Sequence, residues 1–449
     1  MNIYQFGDLP APVSEAITVL ERAGFRAYPV GGCVRDRLMG REPSDWDVCT
    51  SAWPEETAAA FRGFRVIETG MKHGTVTVLA GDMPLEITTF RSESGYGDLR
   101  HPDSVTFISS LEADLARRDF TVNAMAADRS GRVIDPFGGR DDLAAGLIRC
   151  VGRPEERFGE DALRILRALR FASRLGFAIE GETADAVRRQ RELLRRVSPE
   201  RIFSELKGVL AGPGAGDILA AFPEVFFVFL PELAPQAGFD QKNPHHDRDL
   251  WSHTAAAVAA APRDPLLRLT MLLHDVGKPG AFTVDGTGTG HFYGHGQAGA
   301  ALAEDILRRL RCDNETRRTA ARLIAMHDTQ PPQTRKGTRR LLLKLGQEDT
   351  RRLIACWRAD AAAHEEESAR ASLAQIAVTE GLLETILAEE SCFSLGDLAV
   401  KGDDLIAAGM RPGPALGAAL RELFRLVTEE GVPNDRRTLL ERIKNSQKT

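Results

Sequence analysis

Cysteine is sparse and scattered in this 449-residue chain: Cys33, Cys49, Cys150, Cys312, Cys356 and Cys392, with no Cys-x-x-Cys pair and no regular spacing. That excludes a disulfide-stapled scaffold and suits free thiols in a reducing compartment. Long apolar runs are also missing. Pro, Arg or Asp interrupts the longest of them, so no membrane partner is expected. The first ten residues hold no basic cluster leading into an apolar core, so no secretion signal is expected, and the cytoplasm is the expected location. Strong net charge is absent too: −6 at pH 7 does not advertise a nucleic-acid binder. No repeat of 20–50 residues is evident, which argues against a solenoid.

What remains is a globular composition, 43% hydrophobic and 27% charged, in a chain long enough for two to four domains. The neutral average hides local fields. Residues 161–210 carry eleven Arg/Lys against seven Asp/Glu, and residues 306–345 carry eleven against three. Either stretch can face a phosphate backbone or simply solvent. Apolar spacing predicts a helix over residues 12–23 with Val13, Ile17 and Leu20 on one face. Strand-like segments follow at 26–30, 46–49, 65–68, 74–79 and 85–90, and residues 111–127 read as helix. From residue 155 the pattern is helical, with a Pro- and Phe-rich connection over 222–244.

The first chemical signal is Val30-Gly31-Gly32-Cys33-Val34-Arg35-Asp36, two glycines between a strand and a helix. Gly32 allows close backbone approach, the helix start offers N–H groups to a phosphate, and Arg35 can reach the same anion. Next, Asp45 and Asp47 stand two apart in a strand and therefore share a face. Adjacent like charges on one face call for a cation, and metal ions there can clamp the oxygens of a phosphoryl transfer. Glu86, alternating with apolar neighbours, is the candidate third carboxylate.

This head, Val-Gly-Gly-x-Val-Arg-Asp followed by Asp-x-Asp, resembles the class II tRNA nucleotidyltransferases and bacterial poly(A) polymerases. Arg117-Arg118-Asp119-Phe120-Thr121-Val122-Asn123-Ala124-Met125-Ala126 and Asp135-Pro136-Phe137-Gly138-Gly139 resemble the family's next two motifs. The resemblance implies that Arg118, Asp119 and Asn123 handle the ribose and phosphates of an incoming nucleotide. It also implies Mg²⁺ at Asp45 and Asp47.

Charged residues then recur every third position from Asp161 through Arg164 and Arg167 to Arg170, a spacing that stripes one helix face. An ionised Asp only accepts hydrogen bonds and Arg only donates them. Cytosine and adenine each present an amino donor beside a ring-nitrogen acceptor, and both suit Asp161 plus Arg164. Uracil and guanine present the opposite pattern and would leave two contacts failed, each costing about 1–3 kcal/mol. The family resemblance assigns the same role to this Glu-Asp-x-x-Arg motif, with Arg167 and Arg170 on the nucleotide side. Residues 200–206 resemble the family's neck motif, introduced by Ser198 and Pro199 as a helix start. Residues 91–100 resemble the flexible loop of full CCA-adding enzymes, which disfavours CC-only addition. A-only addition and poly(A) synthesis remain alternatives.

Eight of the ten histidines fall between His245 and His364. Within that span, His274-Asp275-Val276-Gly277-Lys278 resembles the HD phosphohydrolase signature. His253 upstream and Asp360 downstream complete an N/O donor set for a divalent transition metal. His295 and His327 stand where two-metal members of that superfamily place further ligands, and Lys278 is a candidate phosphate contact.

The expected fold is α+β: a nucleotidyltransferase head with a mixed sheet over residues 1–148, followed by all-α modules. These are a neck with the template helix (149–221), an HD domain (222–365) and a tail (366–449) expected to touch tRNA. The expected partners are the tRNA 3′ end, CTP and ATP; the sequence sets no oligomeric state. A stringent-response synthetase/hydrolase also joins such modules, but with the hydrolase expected first, and it leaves Asp161 and Arg164 without a role.

Overall fold

The computed structural model describes residues 4–94, 104–242, 249–389, 395–430 and 432–446. The chain forms two compact units. One comprises residues up to Gly238 together with Arg263–Arg268 and Asp305–Asp313; the rest, from Phe239, forms the other.

The first unit is built on a five-stranded mixed sheet of β1 (Ala27–Pro29), β2 (Trp46–Thr50), β3 (Arg65–Ile67), β4 (Thr75–Ala80) and β5 (Met83–Thr89), in the order β1-β2-β5-β4-β3. Only β2 and β5 run parallel, and their register sets Asp47 opposite Glu86. A hairpin of β6 (Arg91–Ser94) and β7 (Ser104–Phe107) follows. The segment 95–103, the core of the expected flexible loop, lies outside the described residues.

Helix α1 (Ala11–Arg22) buries Val13, Ala16, Ile17 and Leu20 against the sheet, as its spacing requires. Each fully buried Leu or Ile there stabilises the head by about 1.5–3 kcal/mol. Helices α2 (Gly32–Leu38), α3 (Pro54–Ala60) and α4 (Leu111–Ala116) complete the front of the chain. The helix expected over 111–127 stops at Ala116. Phe120 is extended and bridges to Cys150, Thr121 N–H bonds the Arg149 carbonyl, and the Asp119 carboxylate accepts the Phe120 N–H. Local side-chain bonding and tertiary pairing thus capture the backbone that α4 would have used.

The α+β class and the mixed sheet of the head are as expected. Helix α5 (Gly139–Ala145) follows, and then α6 (Pro154–Glu160) and α7 (Leu163–Leu175) form the neck with α8 (Gly181–Gln190) and α9 (Pro199–Leu210). The stripe from Asp161 to Arg170 is not one continuous helix, because α6 ends before Asp161. That residue is extended (φ −136°, ψ 105°), and its carboxylate accepts the Leu163 N–H at 3.0 Å, which starts α7.

Among its described residues, the second unit is helical apart from a small hairpin, Thr283–Val284 with Gly290–His291. Its helices include Leu250–Ala260, Asn314–Met326, Arg335–Ala362 and Glu366–Glu389. The last is the one described helix long and apolar enough, by length and composition, to cross a membrane. Its Glu380 and Glu384 pair with Arg358 and Arg351 of the preceding helix. Near the C-terminus, Leu398, Leu405, Leu423, Val427, Leu439 and Ile443 form a separate apolar cluster. Among the described residues, five cysteines are buried and lie outside any disulfide.

Candidate active site and metal centre

At the edge where β2 begins, a cavity of about 520 Å³ opens between the head and α7. It is lined by nine residues singled out from the sequence: Gly32, Arg35, Asp45, Asp47, Arg118, Asp119, Asn123, Arg167 and Arg170. Gly31 turns the chain into α2 with φ +80°, a conformation that strongly favours glycine. Its N–H bonds the Met125 carbonyl, tying the turn to the segment that carries Asn123.

Burial first, then the neighbouring charges of Asp45 and Glu86, push the Asp47 carboxyl up to about 6, although Arg118 opposes them. A carboxylate raised in this way by two neighbouring carboxylates belongs to a set fitted to a divalent cation. Glu86 does not line the cavity itself; it is exposed on β5, directly across the register from Asp47.

The opposite wall is cationic and cross-braced. Arg35 donates to Asn123 Oδ1 at 2.6 Å and to Asp36 at 2.8 Å. Arg167 donates to Asp119 at 2.8 Å, and Asn123 donates to the other oxygen of that carboxylate at 3.3 Å. Burial works against charge on Asp119, but Arg167 outweighs it and holds the carboxyl below its usual range. Arg170 reaches Glu205 on α9 at 2.6 Å. The Phe171 ring gathers Arg35, Arg167 and Arg170 at 5.4, 5.3 and 4.3 Å from its centroid.

Asp161 and Arg164 are not among the residues lining the cavity. Their side chains do not bond each other either, although the Arg164 N–H bonds the Asp161 carbonyl at 2.9 Å. Asp161 accepts from Arg201 at 3.0 Å, while Arg164 donates to Glu160 at 2.6 Å and to the Arg117 carbonyl at 3.1 Å. The neck residues Arg201 and Glu205 therefore grip α7 at both ends of its charged stripe.

Sequence reasoning missed Arg41, Phe171 and Arg174 at this cavity. Arg174 was legible, since it continues the stripe one helical turn beyond Arg170. Arg41 sits in a loop where no periodicity marks it.

In the second unit, the expected histidines and acids converge on one carboxylate. Asp275 is buried, with Oδ2 3.2 and 3.6 Å from the Nε2 atoms of His274 and His253. Its Oδ1 lies 3.5 and 3.4 Å from Nε2 of His295 and His327. Asp360 closes the first half, with Oδ1 3.0 Å from His253 and 3.4 Å from His274. Three of the rings are aimed by the same device. Nδ1 of His274, His295 and His327 bonds the carbonyl three residues back, at 2.7, 2.8 and 2.7 Å, which leaves Nε2 turned inward.

Burial pushes the His274 imidazole down, but Asp275 and Asp360 outweigh it and raise the ring to about 10. The cluster thus demands positive charge, as protons or as cations. His364, whose Nε2 stands 3.6 Å from Asp360, joins it and was missed, though its position four residues after Asp360 could have revealed it. Lys278 is not directed at an open phosphate position. Its ammonium is buried against Asp275 Oδ2 at 2.8 Å and Gln241 at 3.1 Å.

Of the basic residues in 306–345, Arg308, Arg309, Arg317, Arg322 and Arg335 are each in an ion pair. That leaves less charge for a phosphate backbone than the count suggested.

Three family models match parts of the chain. The "Poly A polymerase head domain" family matches residues 27–149, and the tRNA nucleotidyltransferase domain 2 family matches residues 297–443. Residues 176–235 match "Probable RNA and SrmB- binding site of polymerase A". The chain is 34% identical to the CCA-adding enzyme of Limosilactobacillus fermentum, over 96% of each chain. It is 52% identical over 197 residues to that of Lactobacillus helveticus; in matches of that kind the chain spans about half the length of the curated relatives. A solved structure, the Bacillus stearothermophilus CCA-adding enzyme in complex with CTP, superposes with a TM-score of 0.69 at 32% identity, covering 98% of this chain and 100% of that one.

Proposed function

The chain belongs to the CCA-adding enzymes, the tRNA nucleotidyltransferases, and from that premise we propose that it adds C, C and A to the 3′ end of tRNA from CTP and ATP. The observation that carries the reading is the cavity that sets Asp45 and Asp47 across from Arg35, Arg118, Arg167 and Arg170. In this reaction the tRNA 3′ oxygen bonds to the α-phosphorus, the bond to the β-phosphate breaks, and pyrophosphate leaves.

Asp45 and Asp47, with Glu86 beside them, would hold Mg²⁺, which when bound supplies charge neutralisation for the attacking and leaving oxygens. Arg118, Asp119 and Asn123 orient the ribose and phosphates; Gly32 and Arg35 receive the triphosphate. Arg167 and Arg170 supply positive charge on the nucleotide side. Positioning and electrostatics carry such a transfer. Asp161 and Arg164 read the base edge. To do so Arg164 turns from Glu160 to the ring acceptor of C or A, while Asp161, still held by Arg201, accepts from the amino donor.

The domain reading is a head to residue 148, a neck to 221, an HD module to 365 and a tail that contacts tRNA. In the HD module, His253, His274, Asp275 and Asp360 would hold one divalent transition metal, and His295 and His327, with the second oxygen of Asp275, another. The convergence of their ligand atoms supports this. The module would hydrolyse phosphate esters: a water oxygen bonds to phosphorus, the ester P–O bond breaks, and the leaving oxygen takes a proton. The cytoplasm is the proposed location.

One experiment separates full CCA addition from A-only or poly(A) synthesis. Purified protein is incubated with tRNAs ending before CCA, after C or after CC, each nucleotide is supplied singly, and the products are sized. Stepwise C, C, A with termination supports the reading. A-addition alone, or a ladder of A, overturns it.

A further inference from the structure

Resting on the reading of the histidine cluster as a phosphate-ester centre, we propose that Tyr293 is the stacking platform for the base of a nucleoside phosphate bound there. The residue is 80% exposed, the most open large aromatic among the described residues. It is nevertheless not a loose surface tyrosine. The ring lies parallel to His291, at 8° and 5.3 Å between centroids, with its hydroxyl 3.4 Å from His291 Nδ1. His291 is itself pinned through Nε2 to Asp285 at 2.8 Å. The other oxygen of Asp285 accepts from Thr287 N, Thr287 Oγ1 and Thr289 N at 2.9, 2.6 and 3.0 Å. A turn closed on one carboxylate therefore backs one face of Tyr293 and leaves the other to solvent.

The platform is tethered to the centre. Tyr293 stands two residues before His295, so their Cα atoms are at most about 7 Å apart. Phe292, the residue before Tyr293, lies over the Lys278 ammonium at 5.3 Å, and that ammonium touches Asp275 at 2.8 Å. Tyr293 is thus flanked in sequence by two residues whose side chains border the centre, Phe292 over Lys278 and His295 beside Asp275, so that a phosphate at the cluster and a base on the ring can belong to one nucleotide. Because every base has a π-face, such a platform accepts any base. That contrasts with Asp161 and Arg164, which would refuse uracil. The centre would therefore take RNA ends irrespective of their terminal base.

The test uses the full chain loaded with Co²⁺ and desalted, with uridine 3′-monophosphate and inorganic phosphate as probes in equilibrium dialysis. Tyr293→Ala is expected to retain Co²⁺, to keep its affinity for inorganic phosphate, and to bind uridine 3′-monophosphate about tenfold more weakly, the scale of one lost base–aromatic stack. Tyr293→Phe, which keeps the ring, is expected to bind both probes like the unaltered chain. Equal affinity of Tyr293→Ala for the nucleotide overturns the platform. So does an equal loss of both probes, which makes the tyrosine a support of the centre, or a Tyr293→Phe defect as large as that of Tyr293→Ala. If the unaltered chain retains no Co²⁺ by metal analysis, the centre itself falls and the platform with it.

Discussion

Arg201 donates to both oxygens of Asp161, at 3.0 and 3.3 Å, forty residues back along the chain. The carboxylate proposed to read the base is therefore aimed by the neck before any nucleotide arrives. Arg201→Ala is expected to lower discrimination of CTP and ATP over UTP and GTP. Arg164→Ala, which removes a reading group outright, should lower it more, by about 10- to 100-fold, the scale of one failed buried polar contact. Competition assays with pairs of nucleotides measure both ratios; unchanged rejection of UTP and GTP would exclude Arg164 from base reading.

Asp47→Ala is expected to reduce nucleotide addition by on the order of 10³-fold or more, since it removes a group that acts on charge in the transition state. tRNA binding in a filter assay should persist. Retained turnover would refute the metal assignment.

The raised Asp47 carboxyl, about 6, also fixes a pH dependence. A carboxyl raised in the fold contributes stability at low pH, where it is protonated, and that contribution is lost as pH rises through about 6. A bound cation reverses the sign by stabilising the ionised form. Mg²⁺ should thus raise the melting temperature more at pH 7.5 than at pH 5. Below pH 6 the half-saturating Mg²⁺ for addition should climb by about tenfold per unit, as one proton competes for the site. A flat Mg²⁺ requirement from pH 5 to 7.5 would count against Asp47 as the ligand.

Gly208 gives a test in which local propensity and packing disagree. Alanine at this position in α9 is favoured by about 1 kcal/mol of helix propensity. However, a Cβ there would overlap Arg170 Cδ, and Arg170 must pass that point to reach Glu205. Overpacking costs about 1–3 kcal/mol, so Gly208→Ala should lower stability on balance and weaken nucleotide affinity. A more stable, fully active variant would show that Arg170 can take another route.

Removing transition metal by chelation, followed by Mg²⁺ alone, should leave CCA addition intact. It should abolish phosphate-ester hydrolysis, with Asp275→Asn losing metal in elemental analysis. If chelated and reloaded protein are equally silent as hydrolases, the histidine cluster is a scaffold that kept its ligands.

Much of this was legible in the chain. Asp45 and Asp47 declare a shared face by their spacing, and Val13, Ile17 and Leu20 declare a helix. What escaped did so for physical reasons. Residues 117–127 have helical spacing, yet Asp119 engages its carboxylate with a neighbouring N–H and Thr121 pairs with Arg149, 28 residues further along the chain and beyond any local signal. Asp161 looked like one position on a stripe, whereas its own side chain breaks the helix there. The split of Asp275 between two pairs of histidines depends on helices far apart in sequence. The His-Asp pair predicted a centre; only the fold assigns each oxygen its two neighbours.

Gly139 carries a last implication. A side chain there would overlap the Thr121 carbonyl, the first residue of the turn Thr121–Asn123, while Asp135 fastens the Gly139 and Arg140 N–H groups at 2.8 and 2.9 Å. The Asp-Pro-Phe-Gly-Gly segment does not line the cavity, yet it bears on the turn that carries the Asn123 amide. A single methyl added at residue 139 would be felt as a fault in substrate geometry. A screen for lost activity would therefore flag this position as though it belonged to the active site, although it acts only by leaving room.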